Sequence, residues 1–103
     1  MKMLSSINPF NNEGIKDYKQ HNLNEIELII NDSLMAYNNW KRKKVQDRIK
    51  ILSKVRYDLD KNLHSYAKLI TLEMGKPIIE SIAEIKKCIS LCDYYFLNGA
   101  EFL

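Results

Sequence analysis

The segment Gly75-Lys76-Pro77 constrains the fold of this 103-residue chain more strongly than any other feature. Glycine suits the left-handed backbone just past a helix end, so Gly75 predicts a helix that stops there. Proline suits the first position of a helix, because its fixed φ matches the helix and it has no N–H to leave unpaired. Pro77 therefore predicts a second helix over about residues 77–101, with Lys76 as a one-residue hinge.

The predicted final helix carries an apolar stripe. Its apolar or small residues recur at alternating steps of four and three, which places them on one helical face. They are Ile78, Ile82, Ile85, Ile89, Cys92, Phe96, Gly99 and Leu103. A stripe of this kind can also pair helices of separate molecules, so a free-standing helical protein-interaction module remains an alternative at this point.

The N-terminal residues 4–20 predict an extended element. Asn8-Pro9 opens a turn, and Asn11-Asn12 follow it with residues that tolerate left-handed backbone. We expect a short hairpin or two short strands, which need another element to pack against because an isolated hairpin is marginal. The expected fold class is mostly α with a short N-terminal β element.

Two further helical regions are predicted between the hairpin and Gly75. The first covers about residues 23–41, with Asn22 as its N-cap and Glu25 completing a capping box. Its expected buried face consists of Ile26, Ile29, Ile30, Ser33, Leu34, Tyr37 and Trp40. The second begins near Val45 and breaks near residues 60–62, which favour caps and turns. Its apolar positions are Val45, Ile49, Leu52, Val55, Leu59 and Leu63.

The composition excludes several classes of protein. The net charge is only +3, from 16 basic and 13 acidic residues, which argues against a nucleic-acid partner. The basic run at residues 41–44 is expected in the last turn of the first helix, where it complements the helix dipole; anion or nucleic-acid binding by this run is the open alternative. No run reaches the roughly 18 apolar residues of a membrane span, and no signal peptide is indicated. We expect reduced thiols in a cytoplasmic protein.

No catalytic or metal-binding constellation can be assembled from these residues. Cys88 and Cys92 lie four apart on the final helix, and we expect them to be buried as small hydrophobic side chains. The two histidines, His21 and His64, are distant in sequence and complete no zinc pattern. The three glycines are single and far apart, so no phosphate-binding loop exists.

The carboxylates of the final helix also have a simple interpretation. Glu80 and Glu84 lie four apart on it. They are expected on a solvated face, with helical partners such as Lys87. We therefore assign neither of them a role as a general acid or base.

Residues 70–77, Ile-Thr-Leu-Glu-Met-Gly-Lys-Pro, resemble the Glu-x-Gly-Lys-Pro segment of the NAD(P)-dependent aldehyde dehydrogenases, and most closely the succinate-semialdehyde dehydrogenase branch. Residues 6–9, Ser-Ile-Asn-Pro, are similar to the N-terminal turn of that family. Parts of residues 87–103 resemble the helix before its cofactor-domain sheet, and Trp40 matches a frequent aromatic position. Residues 10–12 depart from the family pattern, where Asn12 can supply the left-handed backbone of a glycine.

The resemblance implies a particular place for this chain. Residues 1–103 would be a partial N-terminal segment of the cofactor-binding α/β domain, not a complete domain, with the apolar stripe lying on the nucleotide-binding sheet. The family's catalytic cysteine, general base and oxyanion asparagine match nothing here. No catalytic, cofactor-binding or metal residue is therefore assigned. Some members of the family bind a monovalent cation through backbone oxygens, near Ser6, Ile7 and Glu84 by position.

The resemblance also implies a function for the whole enzyme. The family oxidises an aldehyde to a carboxylic acid with NAD or NADP, and the resemblance to the succinate-semialdehyde dehydrogenase branch implies succinate semialdehyde as the expected substrate. This chain would have a structural role only, would bind no cofactor alone and would be inactive alone. Its expected partner is the remainder of the aldehyde dehydrogenase fold, with a homo-oligomer expected for a full-length relative and neither nucleic acid nor membrane as a partner.

Overall fold

Four helices follow an antiparallel hairpin, which confirms the expected mostly-α fold with a short N-terminal β element. The computed structural model describes residues 2–103, so Met1 lies outside it. The elements are β1 (Met3–Ile7), β2 (Gly14–Lys19), α1 (Leu23–Trp40), α2 (Val45–Lys61), α3 (Leu63–Met74) and α4 (Ile78–Phe102). None of the helices in the described part of the chain is long and apolar enough to cross a membrane.

The hairpin has the turn that its asparagines predict. β1 and β2 pair antiparallel, from Met3 opposite Lys19 to a register irregularity just after Ser6. Asn12 has a φ of 63°, the left-handed conformation expected of it. The side chain of Asn8 accepts a hydrogen bond from the backbone N–H of Phe10, which closes the start of the loop.

α1 starts as predicted, but the expectation that its apolar face is buried is wrong. Asn22 and Glu25 form the complete capping box. No residue of α1 is buried, and Ile30 is 61% exposed. The reason is tertiary. Within residues 2–103, extensive contacts join β1 with β2, and a second set joins α2, α3 and α4 with one another; α1 belongs to neither set. The helix also ends at Trp40, so residues 41–44 form the following turn instead of the expected last helical turn.

The small core lies where α4 packs on α2 and α3. Its buried apolar residues are Leu63, Ala67, Ile85 and Ile89, surrounded by the half-buried Leu59, Tyr66, Ile70 and Ile82. Gly99 is also buried, and a Cβ there would lie 3.3 Å from Cδ1 of Ile49. The central part of the α4 stripe is thus covered by helices of the chain itself. The expectation that this stripe lies on a sheet is wrong for Ile85, Ile89 and Gly99.

The breaks between the helices follow the sequence closely. α2 ends at Lys61 and α3 starts at Leu63, so Asn62 is the predicted break. α3 ends before Gly75, whose φ is 72°. Pro77 has an extended ψ of 140° and is the N-cap, so the first helical residue is Ile78, one later than expected.

The chain leaves an unusually large surface uncovered. Its radius of gyration is 17.8 Å, whereas a compact domain of this length has about 13 Å. Its accessible surface is 8627 Å², about 2,600 Å² more than the roughly 6,000 Å² expected of a folded monomer of this mass. Only 20 Å thick in its shortest dimension, the molecule is a flat layer with much of its apolar side-chain area exposed.

Candidate functional site

The corner between α3 and α4 is where the hairpin meets the helices. Gly75 takes the left-handed conformation, and its N–H donates a hydrogen bond of 2.9 Å to the carbonyl of Thr71. A Cβ at Gly75 would lie 3.2 Å from Cγ of Pro9, so the hairpin loop packs directly against the corner. The two segments that carry the family resemblance, residues 6–9 and 70–77, are therefore in contact.

Hydrogen bonds between side chains fasten this corner. The Ser6 hydroxyl donates to Oε1 of Glu73 over 2.6 Å, and both side chains are half-buried. The hydroxyls of Thr71 and Ser81 share a hydrogen bond of 2.8 Å, and Ser81 is fully buried. Because its hydroxyl is paired, burying Ser81 between two helices carries no large desolvation cost. These four residues stabilise the corner between the hairpin, α3 and α4 through their hydrogen bonds.

An ion pair spans the same corner. Nζ of Lys76 lies 2.7 Å from Oε2 of Glu84, and this hydrogen bond raises the pKa of Lys76 above its ordinary value. The expected pairing of Glu84 with Lys87 is therefore wrong. Helical spacing did not reveal the true partner, because Lys76 lies outside the helix. The structure does not test the cation site implied near Ser6, Ile7 and Glu84.

The thiols and histidines are not brought together. Cys88 is exposed and Cys92 half-buried, so the expected burial of Cys88 is wrong. Nδ1 of His21 lies 3.5 Å from the carboxylate of Glu25 at the start of α1, whereas His64 is on α3. Within residues 2–103, no group of three or more His, Cys, Asp or Glu side chains is placed to hold a metal ion.

An open groove lies between the end of the hairpin and the start of α1. Its volume is about 440 Å³, and it is lined by Lys2, Lys19, Gln20, His21, Asn22 and Glu25. The carboxylate of Glu25 is occupied by the cap: its hydrogen bond from the backbone N–H of Asn22 is the main cause of its lowered pKa. The groove therefore offers exposed polar side chains and no enclosed site.

The described residues do not fit a dinucleotide cofactor. Such cofactors bind at the carboxyl ends of parallel strands, where a glycine-rich turn leads into a helix N-terminus. The sheet described here has two antiparallel strands, and Gly14, Gly75 and Gly99 lie in separate elements or turns.

A cluster of apolar and aromatic side chains is exposed on α4, outside its buried stripe. We call it the α4 aromatic surface; it consists of Leu91, Tyr94, Tyr95 and Phe102, each about half exposed. The rings of Tyr94 and Tyr95 meet edge to face at 5.2 Å, and Tyr94 and Phe102 lie 6.2 Å apart. Contiguous exposed apolar patches of this kind mark interaction sites. Within residues 2–103, the α4 aromatic surface is thus a patch of exposed aromatic side chains that contact one another.

Comparisons with known proteins give the same family that the corner residues suggested. The model of the aldehyde dehydrogenase family matches residues 1–101. A succinate-semialdehyde dehydrogenase (NADP(+)) of Deinococcus radiodurans is 30% identical over 99 residues, which are 96% of this chain and 21% of that protein. The succinate semialdehyde dehydrogenase (NAD(P)+) Sad of Escherichia coli is 30% identical over 98 residues, covering 95% and 21%.

A third relative, an alpha-aminoadipic semialdehyde dehydrogenase of Rattus norvegicus, is 29% identical over 93 residues, covering 90% of this chain and 17% of that protein. The chain belongs to the aldehyde dehydrogenase family. It spans about a fifth of the length of the curated relatives that it matches.

Proposed function

We propose that this chain is the structural N-terminal segment of an aldehyde dehydrogenase, whose whole fold oxidises an aldehyde to a carboxylic acid with NAD(P)+. The observation that carries the proposal is the uncovered surface of about 2,600 Å² beyond that of a folded monomer of this mass. A family match over residues 1–101 supports it, together with relatives of about five times the length. The role of the chain is to supply a folded helical layer on which the rest of the enzyme packs.

The partner that we propose is the remainder of the aldehyde dehydrogenase fold. The α4 aromatic surface is the best candidate for this contact, because Tyr94, Tyr95 and Phe102 form a contiguous patch away from the core. Aromatic side chains are enriched in the buried centres of interfaces. A standard interface takes about 800 Å² from each partner, which the uncovered surface exceeds.

The proposed substrate is succinate semialdehyde. Two of the relatives are named for it, and a third for alpha-aminoadipic semialdehyde. These names share one chemistry, an aldehyde on a molecule that also carries a carboxylate. The relatives are named for NADP(+) and for NAD(P)+, so we propose a nicotinamide cofactor of either kind for the whole enzyme.

The free thiols of Cys88 and Cys92 support a reducing compartment, the cytoplasm.

The apolar stripe of α4, which suggested a free-standing interaction module, no longer supports that alternative. Three residues of the α4 stripe, Ile85, Ile89 and Gly99, are buried against α2 and α3. They cannot at the same time form a seam with another molecule. We therefore do not propose a module built on the α4 stripe.

Complementation tests the proposal. The purified chain, mixed with succinate semialdehyde and NAD+ or NADP+, is expected to give no turnover above the chemical background. Co-expression with the Escherichia coli relative from which the matched segment has been removed is expected to restore oxidation. Turnover by the isolated chain contradicts the structural role, and an assembled complex without activity contradicts the proposed function.

A matched pair of variants then locates the docking surface. Tyr95→Asp is expected to abolish complementation, because it places a charge in the α4 aromatic surface. Tyr57→Asp makes the same change on α2, where Tyr57 is 66% exposed, and is expected to complement normally. Equal effects of the two substitutions would argue against the α4 aromatic surface.

A further inference from the structure

We propose that the remainder of the aldehyde dehydrogenase fold supplies a carboxylate that pairs with the guanidinium group of Arg48. This inference deepens the proposed function and rests on it, because the carboxylate belongs to the partner named there. The observation that carries it is a buried N–H group of Arg48 that has no acceptor within residues 2–103.

The unpaired group is Nε of Arg48. This atom is closed off from solvent and makes no hydrogen bond within the described residues. Arg48 also forms no ion pair with any residue of the same range. The large majority of buried side-chain polar atoms in native proteins have a hydrogen-bond partner, because an unpaired buried donor loses its hydration without compensation. The acceptor of Nε is therefore expected outside residues 2–103.

Arg48 lies near the end of the contact between α2 and α4. The two helices run antiparallel, since Ile49 packs on Gly99 whereas Arg56 meets Asp93 one to two turns earlier on α4. Arg48 precedes Ile49 directly, so it is close to the C-terminal end of α4. The residue as a whole is only half-buried, so a group from outside the chain can reach its side chain.

The neighbouring residues of the chain do not supply the counter-charge. Helical ion pairs form between residues three or four apart, and residues 44, 45, 51 and 52 are Lys, Val, Ile and Leu. The adjacent Asp47 lies 3.5 Å from Nζ of Lys50 instead. Glu101, two residues beyond Gly99 on α4, is exposed and forms no ion pair within residues 2–103.

Arg56 on the same helix shows what a completed pair looks like. Its Nε donates a hydrogen bond of 2.9 Å to Oδ1 of Asp93, and its Nη1 lies 3.6 Å from Oδ2 of Asp60. The chain thus provides carboxylates for one arginine of α2 and none for the other. This contrast makes Arg56 the matched control for Arg48.

The chemistry of the guanidinium group favours a carboxylate as the acceptor. Its N–H groups form a rigid planar fork that matches the two oxygens of a carboxylate, and the pair is strengthened by charge. Nε and a terminal nitrogen form one edge of this fork. Because Nε is covered in this structure, the Arg48 side chain has to rotate about its own bonds to offer that edge to the carboxylate.

The first test uses the 103-residue chain alone. Arg48→Met keeps the aliphatic stem and removes the unpaired donor, so the urea midpoint is expected to stay equal or to rise. Arg56→Met is expected to lower the midpoint, because it breaks the pair with Asp93. A fall in the midpoint of Arg48→Met would show that Arg48 has its partner inside the chain and would overturn the inference.

The second test measures assembly. Each purified chain is titrated into the Escherichia coli relative that lacks its matched segment, and the restored oxidation of succinate semialdehyde gives the apparent affinity. Arg48→Met is expected to weaken assembly roughly 30-fold or more, because it leaves the carboxylate of the partner unpaired. Arg56→Met is expected to assemble within about threefold of the unmodified chain.

The outcomes of this titration separate the two proposals. If the unmodified chain restores activity and Arg48→Met assembles equally well, the inference about Arg48 is wrong while the proposed function stands. If the unmodified chain restores no activity, the proposed function fails, and the inference that rests on it fails too.

The third test distinguishes a carboxylate from a neutral acceptor. Arg48→Lys keeps the positive charge without the fork, whereas Arg48→Gln keeps N–H donors without the charge. With a carboxylate as the partner, Arg48→Lys is expected to assemble about tenfold more tightly than Arg48→Gln. Equal or tighter assembly of Arg48→Gln would contradict the carboxylate.

Discussion

The hydroxyl of Ser6 in β1 donates a hydrogen bond of 2.6 Å to Oε1 of Glu73 in α3, 67 residues further along the chain. Together with the packing of Pro9 against Gly75, it fastens the hairpin to the helical layer. A two-stranded hairpin is marginally stable alone, so these contacts determine whether it stays docked.

Ser6→Ala is expected to loosen the hairpin. Removing a half-buried hydrogen bond to a carboxylate costs about 1–3 kcal/mol, and hydrogen exchange of the β1 and β2 amides should accelerate accordingly. Ser5→Ala is the control, because the Ser5 hydroxyl donates to Asp17 at an exposed site, also over 2.6 Å. If both variants accelerate exchange equally, Ser6 and Glu73 do not anchor the hairpin.

Gly75→Ala is expected to destabilise the corner between α3 and α4. Its φ of 72° strains any residue with a Cβ, at a cost of about 1–2 kcal/mol, and that Cβ would also lie 3.2 Å from Cγ of Pro9. Urea unfolding followed by circular dichroism measures the loss. Gly14→Ala is the comparison, because a Cβ at Gly14 would have no other atom within 4 Å. A larger loss from Gly14→Ala would contradict the role of the left-handed corner.

Local chemistry made much of this fold predictable. Gly75 ends a helix through its own conformational freedom, Asn12 adopts left-handed backbone, and the capping box of Asn22 and Glu25 lies within three residues. Each of these signals is complete within a few neighbours, so a sequence shows it directly.

The errors concern contacts that no local pattern contains. The periodicity of α1 correctly indicates an apolar face around Ile30, but whether this face is buried depends on a partner elsewhere. Lys76 meets Glu84 across a turn, so helical spacing pointed to Lys87 instead. The exposure of Cys88 likewise depends on which face of α4 the other helices cover. For the candidate site, the corner residues were visible in the sequence, whereas the α4 aromatic surface was not, because its exposure depends on tertiary packing.

Gly99→Val is expected to destabilise the contact between α2 and α4. A Cβ at Gly99 would lie 3.3 Å from Cδ1 of Ile49, so the larger side chain overpacks the contact by about 1–3 kcal/mol. Ile49→Ala opens space at the same point, and the double variant should be more stable than the sum of the two single losses predicts. Chemical unfolding of all four proteins measures this coupling. Strictly additive losses would contradict direct packing of Gly99 on Ile49.

The capping box makes the start of α1 sensitive to acid. The backbone N–H of Asn22 donates to the Glu25 carboxylate over 2.9 Å, which lowers the pKa of Glu25 below its ordinary value of 4.5. Because the folded pKa is the lower one, the stabilisation is complete above pH 4.5 and is lost as the pH falls through the folded pKa. Carbon chemical shifts of residues 22–27 should therefore show α1 fraying from its N-terminus in acid. Glu25→Gln keeps the hydrogen-bonding oxygen without the titration, so its α1 start should change much less between neutral and acidic pH. Equal fraying of the unmodified chain and of Glu25→Gln would show that the Glu25 carboxylate is not the group responsible.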